Sequence, residues 1–239
     1  MTLFLLPNLL GSQEDHTLFL PRSVDEAVML IDGLIAESEK QARAYLRRFM
    51  SREKMVTLSL ALLNEHTKPQ EMNTLLSPLL RGEKWGIISD CGLPCLADPG
   101  SELVLQARKL NIDVVALTGP SSIIMALMLS GFSGQRFTFH GYIAKEAVDR
   151  RNELKKWERR AKEERETQIF MEAPYRNLAT FQSCLEALEE RTMFSVAWDL
   201  TLPTQGVITA SIRDWRVKEA PAIQKHPALF LIYSGLNHA

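Results

Sequence analysis

Short apolar runs alternate with longer stretches of helical periodicity along most of this 239-residue chain, and this alternation constrains the fold more than any other feature. Such a pattern is typical of an α/β protein, in which right-handed crossovers make neighbouring strands parallel. In the first half, strands are predicted at residues 3–6, 55–59, 85–89 and 113–117. Helices are predicted between them at residues 25–35, 39–49, 70–80 and 102–110. We therefore expect a mainly parallel first sheet.

The pattern changes after Thr118, where the residues GPSS at 119–122 form a turn before a helical run at 123–129. A charged helix is predicted at residues 147–166, with a narrow buried stripe. The strands predicted beyond the turn follow one another closely, with fewer long helices between them, at residues 136–140, 167–171, 193–198, 206–210 and 229–233. A mixed second sheet is expected from this spacing. The sequence thus predicts two α/β domains, at residues 1–118 and 119–239.

Composition narrows the classes of function. The chain has 28 basic and 29 acidic residues, so no overall positive field points to a nucleic acid, and RNA would have to bind a local patch. The apolar run at 123–129 is far shorter than the roughly 20 residues of a membrane span. The first residues, MTLFLLPNLL, lack the basic start of a signal peptide. We expect a cytoplasmic protein with no membrane partner.

The cysteines do not indicate a metal site. Three cysteines are an odd number, which fits a reducing compartment better than a disulfide framework. Cys91 and Cys95 have CxxxC spacing, but no second pair and no nearby histidine accompanies them. The five histidines are scattered without ligand spacing. We assign the cysteines a structural role and predict no metal.

The loop that follows the predicted strand at 85–89 is the strongest candidate for a ligand site. Residues 86–100 read GIISDCGLPCLADPG, which crowds glycines, prolines and carboxylates before a helix. In open α/β sheets, ligands bind in loops at the carboxyl ends of strands, and glycine lets the backbone approach them closely. A carboxylate such as Asp98 can accept hydrogen bonds from a ribose or an amine. The alternative is a tight turn in which Asp98 only caps the next helix.

Five motifs, in order along residues 86–201, resemble the tetrapyrrole methylase superfamily. SDCGLPCLADPG resembles the SDAGTPxxxDPG stretch of that family's ribosomal RNA methyltransferases, and LTGPSSIIMAL resembles PGPxxxxxAL. Gly141, Tyr142, Arg150, Arg151 and Leu154 match GFLPxxxxxRRxxL. FMEAPYR, at 170–176, resembles FYESxHR, and DLT, at 199–201, stands where the family has ELT.

This resemblance implies a methyltransferase that uses S-adenosylmethionine, bound in a cleft between two α/β domains, and a homodimer. It also implies a set of cofactor-binding residues at the matched positions. These are Gly92, Leu93, Pro94, Leu96, Asp98, Ser121, Ser122, Met171, Glu172, Ala173, Thr201 and Ala228.

Few side chains are needed for chemistry, because most catalysis in methyl transfer comes from positioning. If the acceptor is a hydroxyl, a base could remove its proton, and Glu172 and Asp199 are the candidates. Arg176 could orient a phosphate, although Glu172 and Arg176 could equally form a structural ion pair four residues apart. Arg150 and Arg151 could bind ribosomal RNA or the small ribosomal subunit. The alternative is that they belong to a solvated helix face.

The flanking stretches depart from the family's pattern. The opening loop reads LPNLLG where the family has PTPIGNL, AEDTR appears as AESEK, ELTK as DLTL, and KGE as KHP. Three interpretations therefore remain open. The chain is a ribosomal RNA ribose 2′-O-methyltransferase, a divergent paralogue that methylates another acceptor, or a non-catalytic protein that binds S-adenosylmethionine.

Overall fold

The computed structural model describes residues 1–12 and 15–234. The chain folds into two compact units, Met1–Ser121 and Ser122–Ala239. We call these unit 1 and unit 2. The division falls close to the junction predicted after Thr118, and the extent of independently folding domains stays a prediction.

Unit 1 contains a five-stranded parallel sheet with the strand order β3-β2-β4-β1-β5. Its strands are β1 (Thr2–Leu5), β2 (Gly33–Ala36), β3 (Ser59–Leu62), β4 (Lys84–Ile87) and β5 (Asp113–Ala116). Its helices are α1 (Arg22–Val28), α2 (Glu39–Leu46), α3 (Arg52–Thr57), α4 (Met72–Leu80) and α5 (Ser101–Lys109). Short 3-10 turns lie at His16–Leu18 and Pro69–Glu71. The mainly parallel first sheet is thus confirmed.

Two predictions for unit 1 were wrong. The helix predicted at 25–35 ends at Val28, and Gly33–Ala36 is a strand whose four residues are all buried. A strand buried on both faces has no alternating pattern, so its periodicity cannot be told from that of a buried helix. The strand predicted at 55–59 is mostly the end of α3, and β3 begins only at Ser59.

The sheet of unit 1 is covered on both faces. Successive residues of a strand point to opposite faces, and Leu34 and Ile35 accordingly belong to different core clusters. Gly33 allows this close packing, because a Cβ atom there would lie 2.4 Å from the ring of Trp85 on β4. With both faces covered, the edge formed by the carboxyl ends of the strands is where loops can build a site.

Unit 2 contains a mixed sheet with the order β6-β7-β10-β8-β9. Its strands are β6 (Phe137–Tyr142), β7 (Thr167–Met171), β8 (Met193–Trp198), β9 (Gly206–Ser211) and β10 (Ala228–Tyr233). Its helices are α6 (Ser122–Ser130), α7 (Ala147–Glu164), α8 (Asn177–Ala187) and α9 (Ile212–Trp215), and a 3-10 turn lies at Pro174–Arg176. Strands β6 and β7 pair in parallel, whereas β10 with β7, β10 with β8, and β8 with β9 are antiparallel. The predicted mixed sheet is confirmed.

The core of unit 2 is aromatic. Phe170, Phe194 and Phe230 come from three adjacent strands, and each is completely buried. The ring of Phe230 stacks on Phe170 at 5.4 Å and on Phe194 at 6.1 Å. These contacts hold the central strand β10 between β7 and β8. Among the described helices, none has the length and apolar character needed to cross a bilayer.

Candidate active site

The loop after β4 carries an unusual concentration of left-handed backbone. Gly92 has a φ of 71° and Gly100 a φ of 131°, and the non-glycine residues Cys95 and Ala97 have φ values of 67° and 63°. Such conformations are costly for residues with a Cβ atom and cluster at ligand sites, where surrounding contacts hold them. In the parallel sheet this loop lies at the carboxyl edge, beside the loop that follows β1.

Asn8 ties these two loops together. Its side-chain amide donates to the carbonyl oxygens of Ser89 at 3.0 Å and Asp90 at 2.9 Å, and its backbone N–H donates to the carbonyl of Gly92 at 2.7 Å. Its Oδ1 atom accepts from the guanidinium of Arg48 at 2.8 Å. Asn8 is 5% exposed, so these contacts are made away from water. The altered opening loop of this chain is therefore still bound to the candidate cofactor loop.

The turn after β5 closes against the same region. A Cβ atom at Gly119 would lie 2.1 Å from the Cβ of Pro7, so only glycine allows this approach. A Cβ atom at Gly92 would lie 3.6 Å from the carbonyl oxygen of Pro120. The loops after β1, β4 and β5 thus pack on one another within unit 1, and they carry the predicted residues from Gly92 to Asp98 together with Ser121.

The predicted cofactor residues of this loop differ in exposure. Gly92 and Pro94 are buried, Leu93 and Asp98 are half-buried, and Leu96 is 48% exposed. Ser121 is half-buried at the end of unit 1. Ser122, the first residue of α6, is half-buried at the start of unit 2.

Negative charge is concentrated at this edge of unit 1. The pKa of Asp98 is raised to about 6, chiefly by burial and also by the carboxylates of Glu37 and Asp90, against a hydrogen bond with Ser89 that lowers it. Burial also raises the pKa of Glu37, with the charge of Asp90 acting in the same direction. The Oε1 atom of Glu37 is buried and has no hydrogen-bond partner among the described residues. A cationic ligand would relieve this repulsion and provide the missing partner.

Asp98 does not cap the helix that follows it. The N-cap residue of α5 is Gly100, and no side chain caps it by a hydrogen bond. The capping interpretation of Asp98 is therefore wrong, and its raised pKa points to a role other than helix stability.

Replacing Asp98 with asparagine should make the protein more stable at neutral pH. Because the pKa of Asp98 in the fold, about 6, lies above its ordinary value of 3.8, its contribution is most favourable below about pH 4 and is lost as the pH rises to about 6. The stability difference between Asp98→Asn and the unmodified chain should grow across that window. Urea unfolding at several pH values measures it. Asp113→Asn, at an exposed position on β5, is the control, and an equal gain in that variant would contradict the prediction.

The predicted residues of unit 2 also meet at one edge of a sheet. Because β10 runs antiparallel to β7 and β8, its first residues lie beside their last ones: Ala228 pairs with Trp198, and Leu229 pairs with Met171. This register gathers the predicted cofactor and catalytic residues of unit 2. They are Met171, Glu172, Ala173, Asp199, Thr201 and Ala228.

Glu172 and Arg176 form the ion pair that the sequence left as one alternative. The Glu172 side chain is completely buried, and its Oε1 atom accepts from the Arg176 guanidinium and, at 2.7 Å, from the N–H of Ala173. Its Oε2 atom is buried with no partner among the described residues. A carboxylate held in this way is poorly suited to take a proton from a substrate.

Asp199 is paired with a histidine to which the sequence pattern assigned no role. The Oδ2 atom of Asp199 lies 2.7 Å from Nδ1 of His226 and accepts from the hydroxyl of Thr204 at 2.7 Å. The side chain of Asp199 is 3% exposed, whereas that of His226 is 43% exposed. A buried carboxylate thus orients an accessible imidazole. The two residues are 27 positions apart, and no sequence spacing indicates their contact.

The backbone around this pair is in unusual conformations. Asp199, Thr201 and Lys225 have φ values of 49°, 75° and 67°, and none of them is glycine. The N–H of Asp199 donates to the carbonyl of Pro227 at 3.1 Å, and the carbonyl of His226 accepts from Asn177 at 2.7 Å. The surrounding contacts therefore hold the pair in place at some cost in backbone energy.

The two predicted RNA-binding arginines lie in different environments. Arg150 is 7% exposed, and its guanidinium donates to Ser183 Oγ at 3.0 Å and to the carbonyl of Lys145 at 2.8 Å. It therefore supports the helix packing of unit 2 rather than an open surface. Arg151 is exposed on α7. The stripe predicted on this helix, at Leu154, Trp157 and Ala161, is buried and is confirmed.

Comparison with known proteins identifies the class. The family model described as Tetrapyrrole (Corrin/Porphyrin) Methylases matches residues 25–215. The chain belongs to this family of methyltransferases.

Three relatives in sequence share the name ribosomal RNA small subunit methyltransferase I. The protein of that name from Halalkalibacterium halodurans is 32% identical over 84% of this chain and 64% of its own length. The one from Thermotoga maritima is 29% identical over 80% of each chain. The one from Synechocystis is 32% identical over 83% of this chain and 67% of its own. The chain thus spans less than two thirds of the first of these relatives.

Two solved structures share the fold. The methyltransferase CobJ has a TM-score of 0.61 at 15% identity and matches 98% of this chain and 93% of its own. The uroporphyrin-III-C-methyltransferase from Thermus thermophilus has a TM-score of 0.54 at 14% identity and matches 97% of this chain and 94% of its own. At these identities the likeness concerns the fold alone.

Proposed function

We propose that this chain transfers a methyl group from S-adenosylmethionine to the ribose 2′-hydroxyl of small-subunit ribosomal RNA. Family membership supports methyl transfer, and the shared name of the relatives supports the RNA acceptor. The observation that carries the proposal is the loop after β4. Asn8 is hydrogen-bonded to it, several of its residues have left-handed backbone conformations, and the carboxylates of Glu37, Asp90 and Asp98 lie close together there. A cofactor with a sulfonium and an ammonium group suits such an acidic edge.

The residues proposed to hold the cofactor come from both units. In unit 1 they are the loop from Gly92 to Asp98 and Ser121, with Glu37 of the AESEK stretch as an additional carboxylate. In unit 2 they are Ser122, the residues 171–173 and the strand-end residues Thr201 and Ala228. When bound, S-adenosylmethionine supplies an electrophilic methyl group, so the chain itself has to bind, orient and deprotonate the acceptor. The location predicted for the cofactor, in a cleft between two domains, stays a prediction.

His226 is proposed as the base that accepts the proton of the acceptor hydroxyl. Its Nδ1 atom is engaged by Asp199, which leaves Nε2 to face the substrate and fixes the orientation of the ring. Asp199, one of the two carboxylates predicted as bases, would then act through His226 rather than directly. Glu172, the other, would serve as the buried partner of Arg176. We further propose that Arg151 contacts RNA, and that the protein works in the cytoplasm as a homodimer, as its resemblance to the family implies.

Calorimetric titration with S-adenosylmethionine tests the proposal. Binding is expected at neutral pH and should weaken as the pH falls below about 6, because protonation of Asp98 removes a charge that attracts the cationic cofactor. Asp98→Asn should bind more weakly and lose this pH dependence. Glu102→Gln, which removes an exposed carboxylate from α5, should behave like the unmodified chain. Absence of binding at millimolar cofactor would reject the function.

A divergent paralogue with another acceptor is the second candidate. It is favoured by Ser38, which caps α2 by accepting from the N–H of Gln41 at 3.2 Å, at a position where the family's AEDTR has an acid. Mapping ribose methylation in small-subunit ribosomal RNA from a strain that lacks the gene separates the two candidates. Loss of methylation at one site, restored by the intact gene, supports the ribosomal acceptor. Unchanged methylation at every site, together with cofactor binding, supports the paralogue.

A further inference from the structure

A cavity of about 320 Å³ opens in unit 1 beside Asn8. Its walls are residues 9–12 of the loop after β1, the side chains of Gln41, Tyr45 and Arg48 on α2 and the turn beyond it, and residues 90–91 at the start of the β4 loop. Apart from the carboxylate of Asp90, none of the residues proposed above to bind the cofactor or to act in catalysis lines this cavity. Its size is sufficient for a phosphate group with part of a sugar.

Arg48 gives the cavity a positive charge that is not ion-paired with any described carboxylate. The guanidinium is half-buried, and burial lowers the pKa of Arg48. It donates to the neutral Oδ1 atom of Asn8, and no carboxylate of the described residues lies within 4.0 Å of it. Removing a cation from water without an anionic partner is costly, so the arrangement favours a bound anion.

Tyr45 adds an unpaired donor to the same wall. The residue is 1% exposed, and its hydroxyl has no hydrogen-bond partner among the described residues. Burial raises the pKa of Tyr45, so the hydroxyl stays protonated and can donate. A buried hydroxyl without a partner is unusual in a folded protein and commonly indicates a missing ligand or water.

The loop after β1 supplies further donors. The N–H groups of Leu10, Gly11 and Ser12 donate to no described residue, and these residues line the cavity. Successive free N–H groups in a turn form an anion-binding concavity. The carboxylate among the described lining residues, Asp90, is exposed and belongs to the acidic group near Glu37 and Asp98.

We propose that this cavity binds one phosphate of the RNA backbone, with Arg48, Tyr45 and the loop N–H groups as donors. The assignment of this anion to RNA rests on the proposed function, whereas the inference that the cavity binds an anion does not. Arg47, which follows α2 directly and is exposed, adds positive charge beyond the cavity, whereas Arg43 on the same helix is paired with Glu39. Glu37 and Asp98 do not line the cavity whereas Arg48 does, so an anion from the RNA is a better occupant than the cationic cofactor.

Calorimetric titration of the full chain with inorganic phosphate tests the site. Arg48→Ala should weaken binding about 10- to 100-fold, as expected for loss of a charged hydrogen bond. Tyr45→Phe should weaken it about 3- to 10-fold without lowering the melting temperature, because the lost hydroxyl has no partner in the described part of the fold. Arg47→Ala, which removes the neighbouring exposed guanidinium, should leave phosphate binding unchanged. Equal losses in the Arg47 and Arg48 variants, or none in either, would overturn the proposal.

A second measurement distinguishes the two anions that could occupy the cavity, a phosphate of the RNA and the carboxylate of the cofactor. Binding of a single-stranded RNA oligonucleotide, followed against salt concentration, should lose about 0.7 from its logarithmic slope in Arg48→Ala, as expected for one phosphate contact. Affinity for S-adenosylmethionine should be unchanged in this variant. If the cofactor affinity falls and the RNA slope does not, the anion is the carboxylate of the cofactor and the proposal is wrong. Lack of cofactor binding by the unmodified chain would instead reject the proposed function, whatever the phosphate result.

Discussion

Replacing His226 with asparagine is expected to slow methyl transfer about 10²- to 10⁴-fold, the range typical of losing a positioned base. The affinity for S-adenosylmethionine should not change, because the imidazole acts on the acceptor. Its side chain is 43% exposed, and the contact with Asn177 uses the backbone carbonyl, so asparagine should not disturb the fold. Single-turnover rates with small-subunit ribosomal RNA, together with cofactor titration, measure both quantities.

Asp199→Asn and His66→Asn complete this experiment. Asp199→Asn should reduce the same rate without changing cofactor affinity, because the carboxylate orients Nδ1 of His226. His66→Asn, which changes an imidazole whose side chain is 84% exposed, should have no effect. A structural role for His226 would instead lower the melting temperature and the cofactor affinity together. That result would exclude the base.

Replacing Asn8 with alanine should reduce the free energy of unfolding of unit 1 by about 2 to 5 kcal/mol, because the variant loses several buried hydrogen bonds at once. The carbonyls of Ser89 and Asp90 would lose their donor, and Arg48 would lose its acceptor. The β4 loop should loosen, and cofactor affinity should fall more than tenfold, about the effect of 1.4 kcal/mol. Denaturant unfolding and calorimetric titration measure the two effects.

Asn8→Asp distinguishes the two functions of this side chain. The aspartate keeps an oxygen that can accept from Arg48, but it has no N–H to donate to the β4 loop. It should therefore weaken cofactor binding nearly as much as alanine does and, because its carboxylate would pair with Arg48, it should also weaken phosphate binding, which alanine should not. A folded Asn8→Ala protein with full cofactor affinity would show that the clamp does not shape the loop.

The predictions from sequence succeeded where the information was local. Strands β7 and β8 begin and end at their predicted residues, because apolar and β-branched runs bounded by turns specify a strand within a short window. Strand β2 was missed for the opposite reason. Its four residues are buried on both faces by contacts with β3 and β4, which lie far away along the chain. The apolar run alone did not distinguish it from the end of a helix.

In the candidate active site, too, features specified by neighbouring residues were predicted and features that depend on distant contacts were not. The loop at 86–100 was recognised because its glycines, prolines and acids are contiguous, and Glu172 and Asp199 because they stand in short motifs that resemble those of the family. Asn8 contacts Ser89 across 81 positions, and Arg48 contacts Asn8 across 40. Nothing in either stretch indicates the other, so the clamp and the cavity beside it were not predicted.

By itself, the sequence determined an α/β chain with a parallel and a mixed sheet, and a family that methylates its substrates, because periodicity and contiguous motifs are local properties. The tertiary structure decided which side chains meet. It engaged Glu172 with Arg176, placed His226 against Asp199, raised the pKa of Asp98 by burial beside Glu37, and left Arg48 without a carboxylate among the described residues. Charge and protonation depend on burial and on neighbours that are distant in sequence, and those exist only in the folded chain.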